Sequence, residues 1–269
     1  YQDDALVWSD IISGLLVIVF ATITLVRRST WAPWANSLVG VWLLFAPLIF
    51  SASTAAAYNN DTLSGTLLIV LVLLMPGMPG MNMLPGPDAP PGWSYNPSTW
   101  PQRAPIIALA FLGFFLSRYM TGYQLGYINN IWDPFFGDGT ERVLDSEMSR
   151  SFPVSDAGLG AVAYVIEGLM GFMGDRQRWR TMPWMVTFFG ILVVPLGIVS
   201  IGLMISQPVI VGDWCWPCLV AALAMLVMIA LTLDEVVAMG LFLVQARREG
   251  QSLWRVFWMG GTLQVDASD

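Results

Sequence analysis

The chain contains no histidine and no lysine, and this excludes several classes of functional site. All 12 basic residues among its 269 are arginines, and the formal net charge is −7. Without imidazole there is no Cys-His or Ser-His-Asp catalytic group and no histidine ligand for zinc. An acidic chain without a basic patch is also not expected to bind nucleic acid. The remaining chemistry belongs to thiols, carboxylates, aromatic rings and a bound cofactor, and we expect no metal site.

Charged residues of either sign are scarce, at 12% of the chain, whereas hydrophobic residues make up 56%. The mean hydropathy of +0.63 is far too high for one soluble core. With about 20 apolar residues for each membrane crossing, the sequence predicts seven transmembrane helices. They lie at roughly 10–26, 34–51, 62–76, 104–127, 155–173, 183–206 and 215–245. The predicted fold class is therefore an all-α polytopic membrane protein in a lipid bilayer.

The positions of the arginines predict the direction of the chain through the membrane. Arginine clusters lie at 27–28, 103, 176–180 and 247–255. All of them fall on one side when seven spans alternate, and basic residues accumulate on the cytoplasmic side. We therefore expect the N-terminus and the acidic loops to be extracytoplasmic, and the tail of residues 247–269 to be cytoplasmic.

A threefold repeat occupies the N-terminal part of the chain. Each unit has a polar residue followed four residues later by glycine, and the period is about 25 residues. The pairs are Asp10 with Gly14, Asn36 with Gly40, and Asp61 with Gly65. We expect the polar residue to cap the start of a helix. The glycine is expected to let neighbouring helices approach closely.

Tryptophans and prolines accompany the repeat, as in Trp31-Ala32-Pro33-Trp34 and at Trp42 and Pro47. Because of these residues, the segment 8–77 resembles the SPW-repeat membrane module of bacteria and archaea. Ala32 stands where the Ser-Pro-Trp motif of that module has serine. The resemblance implies that residues 1–77 are a transmembrane scaffold in a prokaryotic cytoplasmic membrane, with the tryptophans as interfacial anchors.

Residues 78–103 form a connector rich in proline, glycine and methionine, and this composition is incompatible with a regular helix. Four methionines lie at its start: Met75, Met78, Met81 and Met83. Their thioether sulfurs are soft ligands suited to Cu(I). Alternatively, they serve as flexible apolar filler in an interfacial loop.

The only two cysteines lie together in Trp214-Cys215-Trp216-Pro217-Cys218, at the start of the last predicted span. Two thiols separated by two residues close a small disulfide and reopen it, so the spacing favours electron exchange over a static link. We expect Cys215 at a helix N-terminus, where unpaired N–H groups and the helix dipole favour the thiolate. A permanent disulfide or a pair of idle thiols is the alternative.

From residue 104 onward the chain has a span, an acidic loop, a span, an arginine-rich turn, a span, the cysteine pair and a last span. This order resembles the vitamin K epoxide reductase family, and the residues that carry it are 140–146, 152–164 and 214–219. The resemblance implies a four-helix bundle over residues 104–246 that passes electrons between thiols and a quinone cofactor. Cys215 and Cys218 are then catalytic, with Cys218 contacting the quinone and Cys215 exchanging with an incoming thiol.

Trp214 and Trp216 flank the cysteines, and they are candidates for the wall of a quinone site. Both are equally suited to an interfacial aromatic belt. The loop at 132–140 lacks the second cysteine pair by which the family relays electrons from a soluble partner. Either a separate thioredoxin-like protein attacks the disulfide directly, or the protein is a non-catalytic membrane subunit or docking scaffold of a larger complex.

Three carboxylates fall inside predicted spans, and acids within a membrane are functional candidates by default. They are Glu167, Asp234 and Glu235. For the last two we expect ion pairing with one of the cytoplasmic-side arginines, Arg176, Arg178 or Arg247. Glu167 lies near the middle of its span and is a candidate for a hydrogen bond across the bundle.

Overall fold

A computed structural model describes residues 2–75, 84 and 86–262. Secondary structure within these residues is entirely helical, which confirms the all-α fold class. The α-helices are α1 (Gln2–Arg27), α2 (Ala32–Ile49), α3 (Ala55–Leu73), α4 (Trp100–Gln124), α5 (Gly139–Leu144), α6 (Asp156–Phe172), α7 (Arg178–Thr181), α8 (Pro183–Ser206), α9 (Trp216–Arg248) and α10 (Leu253–Met259). A 3-10 turn, Ser149–Ser151, precedes α6, and a π-helical turn, Gln207–Val211, follows α8.

A long helix lies at each of the seven predicted spans. Five helical segments within the described residues are long and apolar enough to cross a membrane: Asp4–Arg27, Ala32–Ile49, Trp100–Gln124, Pro183–Val211 and Trp216–Arg248. The other two long helices are α3, which carries Asn59, Asn60 and Asp61, and α6, which has only 17 residues. The helices are therefore confirmed, whereas the number of seven crossings stays a prediction.

The polar residues of the repeat do not cap helix starts, so that expectation was wrong. Asp10, Asn36 and Asp61 each lie inside a helix, about a turn or more beyond its first residue. Thr54 caps α3 instead, because its Oγ1 accepts a hydrogen bond from the Ala57 amide at 3.2 Å. Each of the three polar side chains retains one buried oxygen without a hydrogen-bond partner in the described part of the chain.

The glycines of the repeat act as expected in two of the three units. A Cβ atom added to Gly40 would lie 2.8 Å from the Gly65 carbonyl oxygen, and one added to Gly65 would lie 2.5 Å from the Gly40 carbonyl oxygen. The backbones of α2 and α3 therefore touch at these two residues. Gly14 of α1 has nothing within 4 Å of such a Cβ atom, so no close helix approach depends on it.

Contacts divide the chain into two compact units, each made of three segments. Unit 1 comprises Tyr1–Pro76, Leu112–Val165 and Gly202–Ala221, and unit 2 comprises Gly77–Phe111, Ile166–Ile201 and Ala222–Asp269. The division into a module at 1–77, a connector, a bundle at 104–246 and a tail stays a prediction. Within the predicted connector, residues 84 and 86–99 contain no regular helix, whereas residues 100–103 belong to α4, so the expectation of no regular helix was wrong for this last part.

An arginine fixes the C-terminal end of α6 within unit 2. The Arg103 side chain is almost completely buried. It donates hydrogen bonds to the carbonyl oxygens of Gly171 and Met173, both at 2.9 Å, and of Gly174 at 3.1 Å. These carbonyls have no acceptor role within the helix because the helix ends there. A cation at the negative end of the helix dipole adds to the stabilisation.

We expect Gly65→Ala to lower the thermal stability of the protein in detergent, because the new methyl group collides with the α2 backbone. Overpacking of this kind costs about 1–3 kcal/mol, which exceeds the roughly 1 kcal/mol that alanine gains over glycine inside a helix. Thermal unfolding followed by circular dichroism measures the effect.

Gly14→Ala is the matched control, since it makes the same change at the equivalent position of the first repeat, where there is open space. It should leave the unfolding temperature unchanged or raise it. Equal effects of the two substitutions would contradict the assignment of close helix packing to Gly65.

Candidate active site at the paired cysteines

The paired cysteines lie where the chain turns from α8 into α9. Cys215 and Cys218 are joined by a disulfide, and Cys215 immediately precedes the first residue of α9. The turn uses Gly212 at φ 82°, a left-handed conformation that glycine adopts without strain. The Cys215 amide donates a hydrogen bond to Gln207 Oε1 at 3.0 Å. The expected position of Cys215 at a helix N-terminus is therefore confirmed.

The two sulfur atoms have different environments. Cys215 is fully buried, whereas Cys218 is partly exposed. The Cys218 amide also donates a hydrogen bond to Cys215 Sγ at 3.3 Å. Together with the positive end of the α9 dipole, this donor favours negative charge on the Cys215 sulfur.

A hydrophobic cluster within unit 1 covers Cys215. Its members come from α4, from the segment after α4, and from α5 and α6, and they are Met120, Ile131, Val143, Leu144 and Ala157. The segment of residues 128–151, which contains α5, is named here the cover loop. Because Ile131, Val143 and Leu144 belong to it, the cover loop separates Cys215 from solvent.

Asp133 organises the start of the cover loop through four hydrogen bonds. Its Oδ1 accepts from the amides of Phe135 and Phe136 at 3.0 and 2.8 Å, and its Oδ2 accepts from the amide and hydroxyl of Thr140 at 3.2 and 2.6 Å. Burial alone would raise the pKa of Asp133, but these hydrogen bonds outweigh it and lower the pKa. The charged form of Asp133 therefore stabilises the loop.

An ion pair links the cover loop to the segment that carries the cysteines. Arg142 of α5 donates to both carboxylate oxygens of Asp213, at 2.6 and 2.9 Å. The hydrogen bond from Arg142 lowers the pKa of Asp213. The pair is solvent-exposed, so its contribution to stability is small. It fixes the register between α5 and the turn that precedes Cys215.

Five aromatic rings, from the cover loop and from the two residues that flank Cys215 in the chain, pack against one another, and they are named here the aromatic cluster: Trp132, Phe135, Phe136, Trp214 and Trp216. Trp216 packs edge-on against Trp132 at 5.9 Å between ring centroids, and its Nε1 donates to the Trp132 carbonyl oxygen at 2.8 Å. Trp214 packs against Phe136 at 6.5 Å. The two tryptophans predicted for a quinone site thus flank Cys215 in the chain, and their rings contact rings of the cover loop. Trp132 and Phe135 expose 69% and 72% of their surface.

Met120 is a residue of the site that the sequence did not indicate. Its Sδ lies 3.4 Å from Cys218 Sγ and 3.9 Å from Cys215 Sγ. Met120 occupies α4, about a hundred residues from the cysteines, and is one methionine in a long apolar run. No local pattern marks it, so only the fold brings it to the disulfide.

The three carboxylates that the sequence places inside predicted spans have structural partners in two cases. Arg178 donates to both oxygens of Glu235 at 2.6 Å, and both side chains are buried, so the expected ion pair is confirmed. Asp234 instead accepts a hydrogen bond from the Tyr95 hydroxyl at 2.6 Å. Glu167 is fully buried, and neither of its oxygens has a hydrogen-bond partner among the described residues. The hydrogen bond expected for Glu167 is therefore not found.

Within residues 2–75, 84 and 86–262, no group of three or more histidine, cysteine, aspartate or glutamate side chains is arranged to hold a metal ion. Three of the four methionines considered as copper ligands, Met78, Met81 and Met83, lie outside the described residues.

Comparison with known protein families identifies two matched regions. Residues 104–233 match the vitamin K epoxide reductase family, and residues 1–75 match the SPW repeat domain. Both resemblances seen in the sequence, and their order along the chain, are therefore confirmed. No curated protein and no solved structure matches the chain. The family match, the apolar helices and the cysteine pair together indicate a membrane thiol oxidoreductase.

We expect Asp133→Ala to accelerate reduction of the Cys215–Cys218 disulfide by a small phosphine, because it frees the start of the cover loop. Loss of a hydrogen bond to a charged group costs about 1.5–3 kcal/mol, so the rate should rise on the order of tenfold. Quantification of free thiols against time measures it. Asp138→Ala removes the same charge from an exposed neighbour in the same loop and should leave the rate unchanged.

The same role of Asp133 predicts that the rate of disulfide reduction depends on pH. Since the folded-state pKa of Asp133 is lowered, its stabilisation of the loop is complete above the ordinary value of 3.8 and is lost as the pH falls from there through the lowered pKa. Reduction of the wild-type disulfide should therefore accelerate in that range, relative to Asp133→Ala. Identical pH profiles for the two proteins would rule out this role of Asp133.

Glu235→Ala should destabilise the protein by about 3–5 kcal/mol, since it leaves the Arg178 guanidinium buried and unpaired. Asp234→Ala is the control, because it removes a neighbouring carboxylate that accepts only one tyrosine hydrogen bond. Replacement of both partners, in Arg178→Met with Glu235→Leu, should recover much of the loss. Thermal unfolding in detergent measures all three variants, and a Glu235→Ala protein as stable as Asp234→Ala would contradict the prediction.

Proposed function

We propose, from the match of residues 104–233 to the vitamin K epoxide reductase family, that this protein is a quinone-linked thiol/disulfide oxidoreductase of the membrane. The observation that supports the proposal most directly is the disulfide between Cys215 and Cys218 at the N-terminus of α9. In the proposed reaction, a thiol substrate is oxidised to a disulfide, and two electrons and two protons pass to a quinone. The quinone, when bound, would accept the two electrons that the reduced cysteine pair has taken from the thiol substrate.

The environment of Cys215 suits it for exchange with the thiol substrate. A substrate thiolate attacks Cys215 Sγ, the Cys215–Cys218 bond breaks, and the Cys218 thiolate leaves. A second substrate thiolate then attacks the mixed disulfide and releases Cys215 as a thiolate. The Cys218 amide and the α9 dipole stabilise that leaving group.

Cys218 is assigned the contact with the quinone. Cys218 is the partly exposed residue of the pair, and the side chains packed against its cluster are apolar or aromatic. Sites for planar apolar cofactors have this character, so the residues present fit a quinone ring. Trp214 and Trp216 are proposed to bind the ring, because they flank Cys215 in the chain and belong to the aromatic cluster.

The burial of Cys215 restricts the access of a thiol substrate to its sulfur atom. A protein thiol can reach Cys215 Sγ only if the cover loop moves away, since Ile131, Val143 and Leu144 pack over it. The cover loop contains no cysteine that could relay electrons. We therefore assign the exchange to a separate partner, a soluble thioredoxin-like protein or another membrane subunit. The arginine distribution supports an extracytoplasmic position for the pair, in a compartment where disulfides persist.

The test is turnover of purified protein in lipid nanodiscs with a reduced dithiol donor and a short-chain quinone, followed by the absorbance of the quinone. Wild type should consume quinone, and Cys215→Ala and Cys218→Ala should both fall to the rate of empty nanodiscs. Gly14→Ala, which changes a residue without close neighbours, is the control and should retain turnover.

The two cysteine variants also separate the proposed roles. Incubated with the oxidised, disulfide form of the donor, Cys218→Ala should form a mixed disulfide as the Cys215 thiolate attacks one donor sulfur and the other leaves as a thiolate. Mass spectrometry detects this product, and Cys215→Ala should not form it. The opposite pattern would reverse the assignment. A wild-type protein that consumes no quinone, and that co-purifies with a subunit regardless of the redox state of the pair, would favour the non-catalytic scaffold instead.

A further inference from the structure

We propose that Met120, Cys215 and Cys218 form a three-sulfur binding site for Cu(I) when the disulfide is reduced. The geometry is already close to that of a shared ligand set. Met120 Sδ lies 3.4 Å from one cysteine sulfur and 3.9 Å from the other. The cysteines lie three residues apart at a helix start, with their Cα atoms 5.3 Å apart, so both side chains remain on the Met120 side after the bond opens.

The three sulfurs lie in a setting that suits a soft cation. Met120 and Cys215 are buried, the other buried members of the hydrophobic cluster are aliphatic, and Tyr119 and Tyr123 pack against it. Water therefore competes weakly for the ion. Thiolate and thioether sulfurs are soft ligands that select Cu(I). The site supplies two thiolates, from Cys215 and Cys218, and one thioether, from Met120.

Harder divalent ions lack ligands at this position. The chain contains no histidine, and zinc sites are built from four ligands drawn from cysteine, histidine and carboxylates. The carboxylates nearest in the chain have other partners, since Asp213 pairs with Arg142 and Asp133 holds the cover loop. We therefore expect the site to bind Cu(I) and to reject Zn(II).

The charge balance also favours binding at this position. A Cu(I) ion with two thiolates carries one negative charge in total, and the two thiols release two protons when it binds. The N-terminus of α9 offsets that charge through its dipole, and the Cys218 amide already points at Cys215 Sγ. The sequence alone gave no expectation of this site, because Met120 is distant from the cysteines along the chain.

Copper binding requires prior reduction of the disulfide by two electrons. A phosphine provides them in the experiment, and in a cell they would come from a thiol donor. The bound ion would hold the pair in its reduced state and block disulfide formation. The proposal needs only the reduced pair, so it stands whether or not a quinone accepts the electrons.

The experiment titrates phosphine-reduced protein in detergent with Cu(I) under anaerobic conditions, against a chromophoric Cu(I) chelator. Wild type should bind one Cu(I), with three sulfur neighbours in its X-ray absorption spectrum. Met120→Leu conserves the side-chain volume but removes the thioether ligand. Loss of even a group that only supports a metal ligand lowers metal affinity by about tenfold or more, so the Cu(I) affinity should fall by at least about that factor. Its spectrum should show two sulfurs.

Met185→Leu is the matched control, since it makes the same substitution at a fully buried methionine of unit 2. It should bind Cu(I) as wild type does, and oxidised wild type should bind none. Equal Cu(I) affinity in wild type and Met120→Leu, two sulfur neighbours in wild type, or tighter binding of Zn(II) than of Cu(I) would each overturn the proposal. Since the assay follows copper rather than quinone, its failure would be distinct from a failure of the proposed reaction.

Discussion

The chemistry of this protein depends on the turn that fixes two cysteines to the start of α9. The π-helical end of α8, Gly212 with its positive φ, and the hydrogen bond from the Cys215 amide to Gln207 all hold that turn in place. The first turn of a helix has amides without intrahelical acceptors, and one of them donates to Cys215 Sγ. The backbone thus provides the hydrogen-bond donor that stabilises a thiolate. The chain has no histidine or lysine that could provide a positive charge for this purpose.

The chemistry at this turn also accounts for the aliphatic side chains that the cover loop packs near Cys215. A sulfur stabilised by backbone amides alone is most effective where water is excluded, and the cover loop excludes it with three aliphatic side chains. Polar interactions hold the loop at its edges, through Asp133 and through the ion pair of Arg142 with Asp213. The exposed ion pair contributes little to stability in water. The loop therefore combines a dry interior with contacts that allow it to open.

Local features of the site could be predicted from the sequence, and features that depend on distant contacts could not. The helix start at the cysteines follows from residues 214–218 themselves, and the Glu235 ion pair follows from charges that must be paired within a membrane. Met120 and the cover-loop contacts depend on packing between elements far apart in the chain. The helix-cap prediction failed for a related reason, since Asp10, Asn36 and Asp61 resemble caps only if each helix begins beside them. In the structure the helices begin earlier in the chain. Helix α3, for example, begins after its cap Thr54, well before Asp61.

Because the cover loop has no relay cysteines, movement of this loop would control access to Cys215 in the proposed reaction. In an arrangement with a cysteine pair in that loop, electrons could cross the cover by exchange between thiols while the loop stayed in place. Here the loop has no thiol, so in the proposed reaction a protein partner would have to displace the aliphatic side chains over Cys215 before exchange begins. The exposed rings of Trp132 and Phe135 belong to the same loop. A contact with these rings would therefore act directly on the segment that has to move, and binding of the partner and exposure of Cys215 would be coupled through one element.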